Sequence, residues 1–244
     1  MTTRAASSEN ATERLTAELR TAILRGEYAA GAKLPPEREL AERYGVHRVT
    51  VRGALARLSS MRLVAIRHGS GCVVLDYRRS AGLELAGELL EATRVGKAEA
   101  SELVEDLLAV RRAIARVALE RLAARVDERG VARITEAVDA LERRVEQGAD
   151  RSAIAEADVE VFAAIVAATG STVLQLCVNP VSQVLASVPG LRDAIYAEPH
   201  ANVLSYRLLL AWLPTRRMDM ITPILSALEA HDRAALKAHR RGRR

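Results

Sequence analysis

The residues best suited to chemistry with another molecule are His47, Arg48, Thr50 and Arg52. Guanidinium, imidazole and hydroxyl groups donate hydrogen bonds to phosphate oxygens and to base edges. Arg48 and Arg52 stand four apart, so on a helix they share a face, and one can read a guanine edge while the other holds a phosphate. The competing reading of this face is a solvated helix surface. Catalytic chemistry is not expected, because no nucleophile is paired with a base and no paired carboxylates or metal set stand out. Cys72 and Cys177 are far apart and match no metal or redox spacing, which fits a reducing cytosol. No cofactor is expected.

Two short helices meeting at a tight joint would present these side chains. Leu40, Ala41 and Tyr44 fall on one side of the first pattern, and Val51, Ala54, Leu55 and Leu58 on one side of the second. Gly45 between them can take the positive φ that a sharp turn requires. This is a helix-turn-helix, and it leaves His47, Arg48, Thr50 and Arg52 outward. Ahead of it, Leu15, Leu19, Ile23 and Leu24 predict a helix over Asn10 to Arg25, after a polar and frayed stretch at residues 1–9. Behind it, Leu63 to Ile66 and Cys72 to Leu75 are β-prone runs flanking the basic, glycine-rich Arg67-His68-Gly69-Ser70-Gly71. A helix-turn-helix followed by a hairpin is a winged helix, whose third helix enters the major groove while the wing reaches the flanking backbone or minor groove. The alternative for the hairpin is an ordinary surface turn.

The chain has 244 residues, 49% of them hydrophobic and 3% aromatic, so two domains with aliphatic and mostly helical cores are expected. Residues 1–79 hold 14 Lys and Arg against 8 Asp and Glu, whereas the remainder holds 22 against 23. The positive excess therefore lies around the helix-turn-helix, as it should if that half meets a polyanion. A general arginine-rich bias is the alternative. Residues 1–75 read as the winged helix, 76–82 as a linker, and 83–244 as an all-helical antiparallel bundle of six or seven helices punctuated by Gly130, Gly148, Gly170, Gly190 and Pro199. No secretory or membrane-spanning run occurs, so the chain is expected in the cytoplasm and off the membrane.

With both halves placed, the chain resembles the GntR family of bacterial transcription regulators, in the branch of the fatty-acid regulators whose helical effector domain is called FCD. Leu34 to Ala41, Gly45 to Arg52, Ala54-Leu55, Leu58, His68-Gly69 and Gly71 carry the resemblance in the first half. Val110-Arg111, Ala157-Asp158, Ala168 to Ser171 and Ile224 to Asp232 carry it, more loosely, in the second. The resemblance implies that Arg38, Arg48, Thr50 and Arg52 make the main DNA contacts, with His47 beside them and His68 and Gly69 acting from the wing. His47 departs from the serine often found there. A serine would cap the recognition helix better, so His47 is either a small loss of stability or a change of contact.

Many FCD domains bind a metal through an aspartate and three histidines. Asp158 stands at the acidic position, but Phe162, Ile221 and Arg243 stand where the histidines would fall, so no metal is expected. His231 and His239 are eight apart, about 12 Å along a helix, and are read as surface. Phe162 makes the pocket more apolar, as in the branch that senses acyl-coenzyme A. Arg111, Asp158 and Phe162 are the candidate effector-binding residues, although Arg111 and Asp158 could each equally belong to a buried ion pair bracing the bundle. The resulting expectation is a homodimeric, ligand-responsive regulator, a repressor, that binds a palindromic double-stranded DNA operator. A small acidic or acyl effector, an organic acid or acyl-coenzyme A, would change its DNA affinity. The rival is a helical protein-binding scaffold without sequence-specific DNA binding.

Overall fold

The computed structural model describes residues 2–67, 71–92, 97–187 and 189–242, which fall into two compact units, Met1–Val95 and Gly96–Arg244. In the first unit, α1 (Thr2–Leu24), α2 (Glu37–Tyr44) and α3 (Arg48–Ser60) precede the strands β1 (Val64–Arg67) and β2 (Gly71–Val74). The helix expected from Asn10 begins instead at Thr2, so residues 2–9 continue it rather than fray. Leu15, Leu19 and Ile23 of α1 pack with Leu40 of α2 and with Val51, Ala54, Leu55 and Leu58 of α3. Gly53 allows α1 to approach α3 closely, since a Cβ at this position would stand 2.9 Å from Thr12 Cγ2.

The strands pair antiparallel, with Val64 opposite Val74 and Arg67 opposite Gly71. A feature absent from the sequence reading covers the free edge of β2: Gly31 and Leu34 donate backbone N–H groups to the carbonyls of Val74 and Cys72, each at 2.8 Å. The Gly-Ala loop thus satisfies an edge that would otherwise be open to pairing. Residues expected to be a linker contain α4 (Tyr77–Ser80), capped by Asp76, whose carboxylate accepts from Arg78 N at 3.2 Å. A 3-10 turn (Leu83–Leu85) and α5 (Ala86–Ala92) follow, and Leu85 enters the core of the first unit. Arg20 ties α1 to Glu88 of α5 at 2.7 Å.

The second unit contains seven α-helices among the described residues: α6 (Lys97–Arg125), α7 (Glu128–Glu146), α8 (Arg151–Ala168), α9 (Thr172–Ser187), α10 (Pro189–Ile195), α11 (Pro199–Trp212) and α12 (Ile221–Gly242). The fold is mainly α, as expected. Its helix starts are written in the sequence: Asp127 accepts from Gly130 N at 2.7 Å and Asp150 from Ala153 N at 2.9 Å, each satisfying a donor the first turn would leave free. Apolar stripes at helical spacing, such as Ile134, Val138, Leu141 and Val145 of α7, are buried. The short α10 was not anticipated, because seven residues are too few to show a period. No described helix is long and apolar enough to cross a membrane.

Candidate functional site

In the first unit, the turn between α2 and α3 sets the direction of every candidate contact. Gly45 adopts φ +62°, and its N–H and that of Val46 close the last turn of α2 on Glu42 and Ala41. α3 then starts at Arg48 with His47 as its N-cap residue, and the imidazole makes no capping hydrogen bond. His47 is exposed. The first turn of α3 therefore keeps free N–H groups beside Arg48, a favourable place for a phosphate.

Arg38, Arg48 and Arg52 all project into solvent, with side chains 81%, 61% and 66% exposed. Arg52 Nε donates to Glu37 Oε2 at 2.9 Å, and Arg48 lies 3.7 Å from the same oxygen. Glu37, the first residue of α2, thus holds two arginines of α3 in one fan. An exposed ion pair of this kind is worth about 0–1 kcal/mol, so a phosphate can displace it at little cost. The cations are preorganised and remain available.

One outward assignment is corrected. Thr50 is buried, because positions 50, 54 and 58 lie four apart and Ala54 and Leu58 form the core face of α3. Its neighbour Val49 is the exposed residue, at 76%. An isopropyl group beside two arginines suits the methyl group of a thymine. The spacing of four from Ala54 could have revealed this exchange. Glu37 was missed for another reason, since its contacts cross between helices and leave no periodic trace. His68 and Gly69 lie outside the described residues, while Arg67 at the end of β1 is exposed.

In the second unit, a cavity of about 70 Å³ opens between α6, α8, α11 and α12. Arg111, Asp158 and Phe162, the three residues proposed from sequence, all line it. Arg111 forms a buried ion pair that braces α6 against α12, donating to Asp232 Oδ1 at 3.2 Å, and Arg112 donates to Asp232 Oδ2 at 2.9 Å. Asp158 accepts from two phenols, Tyr196 and Tyr206, each at 2.8 Å. Burial and the Asp158 carboxylate hold both phenols well above the ordinary tyrosine range, so they stay protonated and keep donating. Burial disfavours the Arg111 charge, but Asp232 and Asp158 outweigh it and raise its pKa.

His231, read from sequence as a surface residue, also lines the cavity, while the side chain of His239 lies outside the described residues. Burial, then the Arg111 charge, lower the pKa of His231. Ile221, one of the expected ligand positions of metal-binding relatives, is buried at the start of α12, and Arg243 lies outside the described residues. Among the described residues, no group of three or more His, Cys, Asp or Glu could hold a metal ion. Asn202, Tyr206 and Asp232 were not singled out beforehand, because the contacts that join them to the cavity span large distances along the chain.

Two family models match. The one described as bacterial regulatory proteins, gntR family, covers residues 11–74. The one described as FCD domain covers residues 106–241, more than half of the chain. The chain belongs to the FCD-domain branch of the GntR family. The GntR segment is 53% identical over 64 residues to an uncharacterized HTH-type transcriptional regulator of Mycobacterium tuberculosis, covering 26% of each chain. A longer match, to the fatty acid metabolism regulator protein of Edwardsiella ictaluri, is 31% identical over 157 residues, 64% of this chain and 62% of that protein. These matches span between 26% and 62% of the length of those curated relatives. Among solved structures, Lar of Listeria monocytogenes superposes with a TM-score of 0.59 at 14% identity, over 94% of this chain and 96% of that one. McbR/YncC of Escherichia coli gives 0.50 at 19% identity, over 93% and 97%. These two likenesses concern the fold of the GntR chain alone.

Proposed function

We propose that this GntR-family protein is a ligand-responsive transcriptional regulator that acts in the cytoplasm, binds a palindromic DNA operator as a homodimer and represses. Residues 1–75 would form the DNA-binding domain and the second unit, from α6 onward, the effector and dimerisation domain. The observation that carries this reading is the fan of exposed arginines around one tight turn, Arg48 and Arg52 held by Glu37 and Arg38 one residue further along α2. Arg38 clamps a phosphate where α2 crosses the backbone, Arg48 and Arg52 divide base and phosphate contacts, and His47 lies beside them. His68 and Gly69 serve the wing. A two-fold dimer sets two such heads on the half-sites of a palindrome.

The cavity supports an effector site. Of the two effector classes expected from sequence, acidic and acyl, its aliphatic lining by Leu119, Ile165, Leu209 and Leu228 favours the acyl class. Effector binding changes operator affinity through a two-state coupling and leaves the recognition residues themselves unaltered. A gel-shift survey of genomic fragments tests the reading. A few fragments should be retarded, and retardation of none would leave the helical scaffold as the better account.

A further inference from the structure

We infer that the ligand of this cavity carries an uncharged hydroxyl or amide on an aliphatic body, which donates to Asn202 Oδ1 and pairs with His231 Nε2. The inference rests on the reading of the cavity as a ligand site. Both atoms are buried without a hydrogen-bond partner among the described residues, and both residues line the cavity. Asn202 is only 5% exposed, so water reaches it poorly, and an unpaired buried acceptor is costly enough to demand a reason. A neutral ring that carries its proton on Nε2 donates where Asn202 Oδ1 accepts, so one hydroxyl or amide serves both atoms. Burial and the Arg111 charge favour the neutral ring against the opposing pull of Asp232 and Asp158.

Elsewhere on the polar wall, Arg111 donates to Asp232, and the Asp158 oxygens each accept from a tyrosine. The charges balance, Arg111 and Arg112 against Asp158 and Asp232. A carboxylate would add a negative charge with no surplus cation to meet it, in a site of low dielectric. An ammonium would leave the opposite excess. A neutral group that both donates and accepts adds no charge and satisfies the two atoms that the protein leaves open. The wall around them, with Leu119, Phe162, Ile165, Leu209 and Leu228, accommodates an aliphatic chain.

Isothermal titration of the full chain near pH 7.5 with four six-carbon probes, hexan-1-ol, hexanamide, hexanoate and hexylammonium, tests this. The alcohol and the amide should bind at least about ten-fold more tightly than either ion, and Asn202→Leu and His231→Phe should each weaken the alcohol by about ten-fold. Either variant suffices if the other does not fold, as judged by circular dichroism. Hexanoate binding as tightly as the alcohol would overturn the donor assignment while keeping the cavity as a ligand site. Alcohol binding indifferent to both substitutions would also overturn the assignment. Failure of all four probes to bind would overturn the assignment and the effector reading together.

Discussion

Removing the carboxylate of Asp232 should be among the most damaging single changes in the helical unit. Its side chain is 1% exposed and accepts from Arg111, itself 8% exposed, and from Arg112, which is 27% exposed. Asp232→Ala therefore leaves one arginine buried without its nearest anion, a loss of about 3–5 kcal/mol. Arg112→Ala removes only the better solvated partner, and Arg111 still neutralises Asp232, so about 1 kcal/mol is expected. The double variant Arg111→Met/Asp232→Ala removes the stranded charge and should recover about 1–3 kcal/mol relative to the sum of the single changes. Trp212, the chain's one tryptophan, is buried in α11 and reports on this unit alone, so urea unfolding followed by its fluorescence is the assay. An Asp232→Ala variant within about 1 kcal/mol of the parent, or indistinguishable from Arg112→Ala, would refute the claim that Asp232 neutralises Arg111.

Three further outcomes follow from the geometry. Arg52→Ala should cost about 1–3 kcal/mol of DNA binding and relax preference at one base position, measured by fluorescence anisotropy, while unfolding shifts by less than about 1 kcal/mol because the residue is exposed. His231 has a lowered pKa, so the unfolded chain takes up a proton that the folded chain refuses. Stability should accordingly fall as pH drops below about 6.5 in thermal melts, and His231→Phe should flatten that part of the profile. Gly53→Leu should destabilise the first unit by about 1–3 kcal/mol by forcing α1 away from α3, seen as a lowered midpoint in chemical unfolding monitored by circular dichroism.

How much of this was legible beforehand depended on how far along the chain each interaction reaches. The helix-turn-helix was readable because its determinants are local: the three-and-four spacing of Val51, Ala54, Leu55 and Leu58, and one glycine able to take a positive φ. The error inside it was also local, since Thr50 was placed outward although it stands four residues before Ala54 on the buried face. The helical unit was readable as a class, since caps such as Asp127 and Asp150 and stripes such as those of α7 are short-range. Its cavity was not. Arg111 meets Asp232 across 121 residues and Asp158 meets Tyr206 across 48, and no periodicity encodes such pairings. Arg111, Asp158 and Phe162 were reached through family resemblance, whereas Asn202 and Asp232 became visible only with the helices assembled. His231 shows the limit most plainly, because a histidine in a polar, alanine-rich helix reads as surface until its neighbours are known.

The central claim is that the arginine fan around Gly45 binds DNA. Its most direct test is the salt dependence of binding by the full chain to a retarded genomic fragment and to a scrambled fragment of equal length. Each phosphate met by an arginine contributes about −0.9 to the slope of log affinity against log salt, so two heads should give a slope of about −3 or steeper, with the genomic fragment bound at least about a thousand-fold more tightly than the scrambled one. A flat salt response, or equal affinity for the two fragments, would contradict the account.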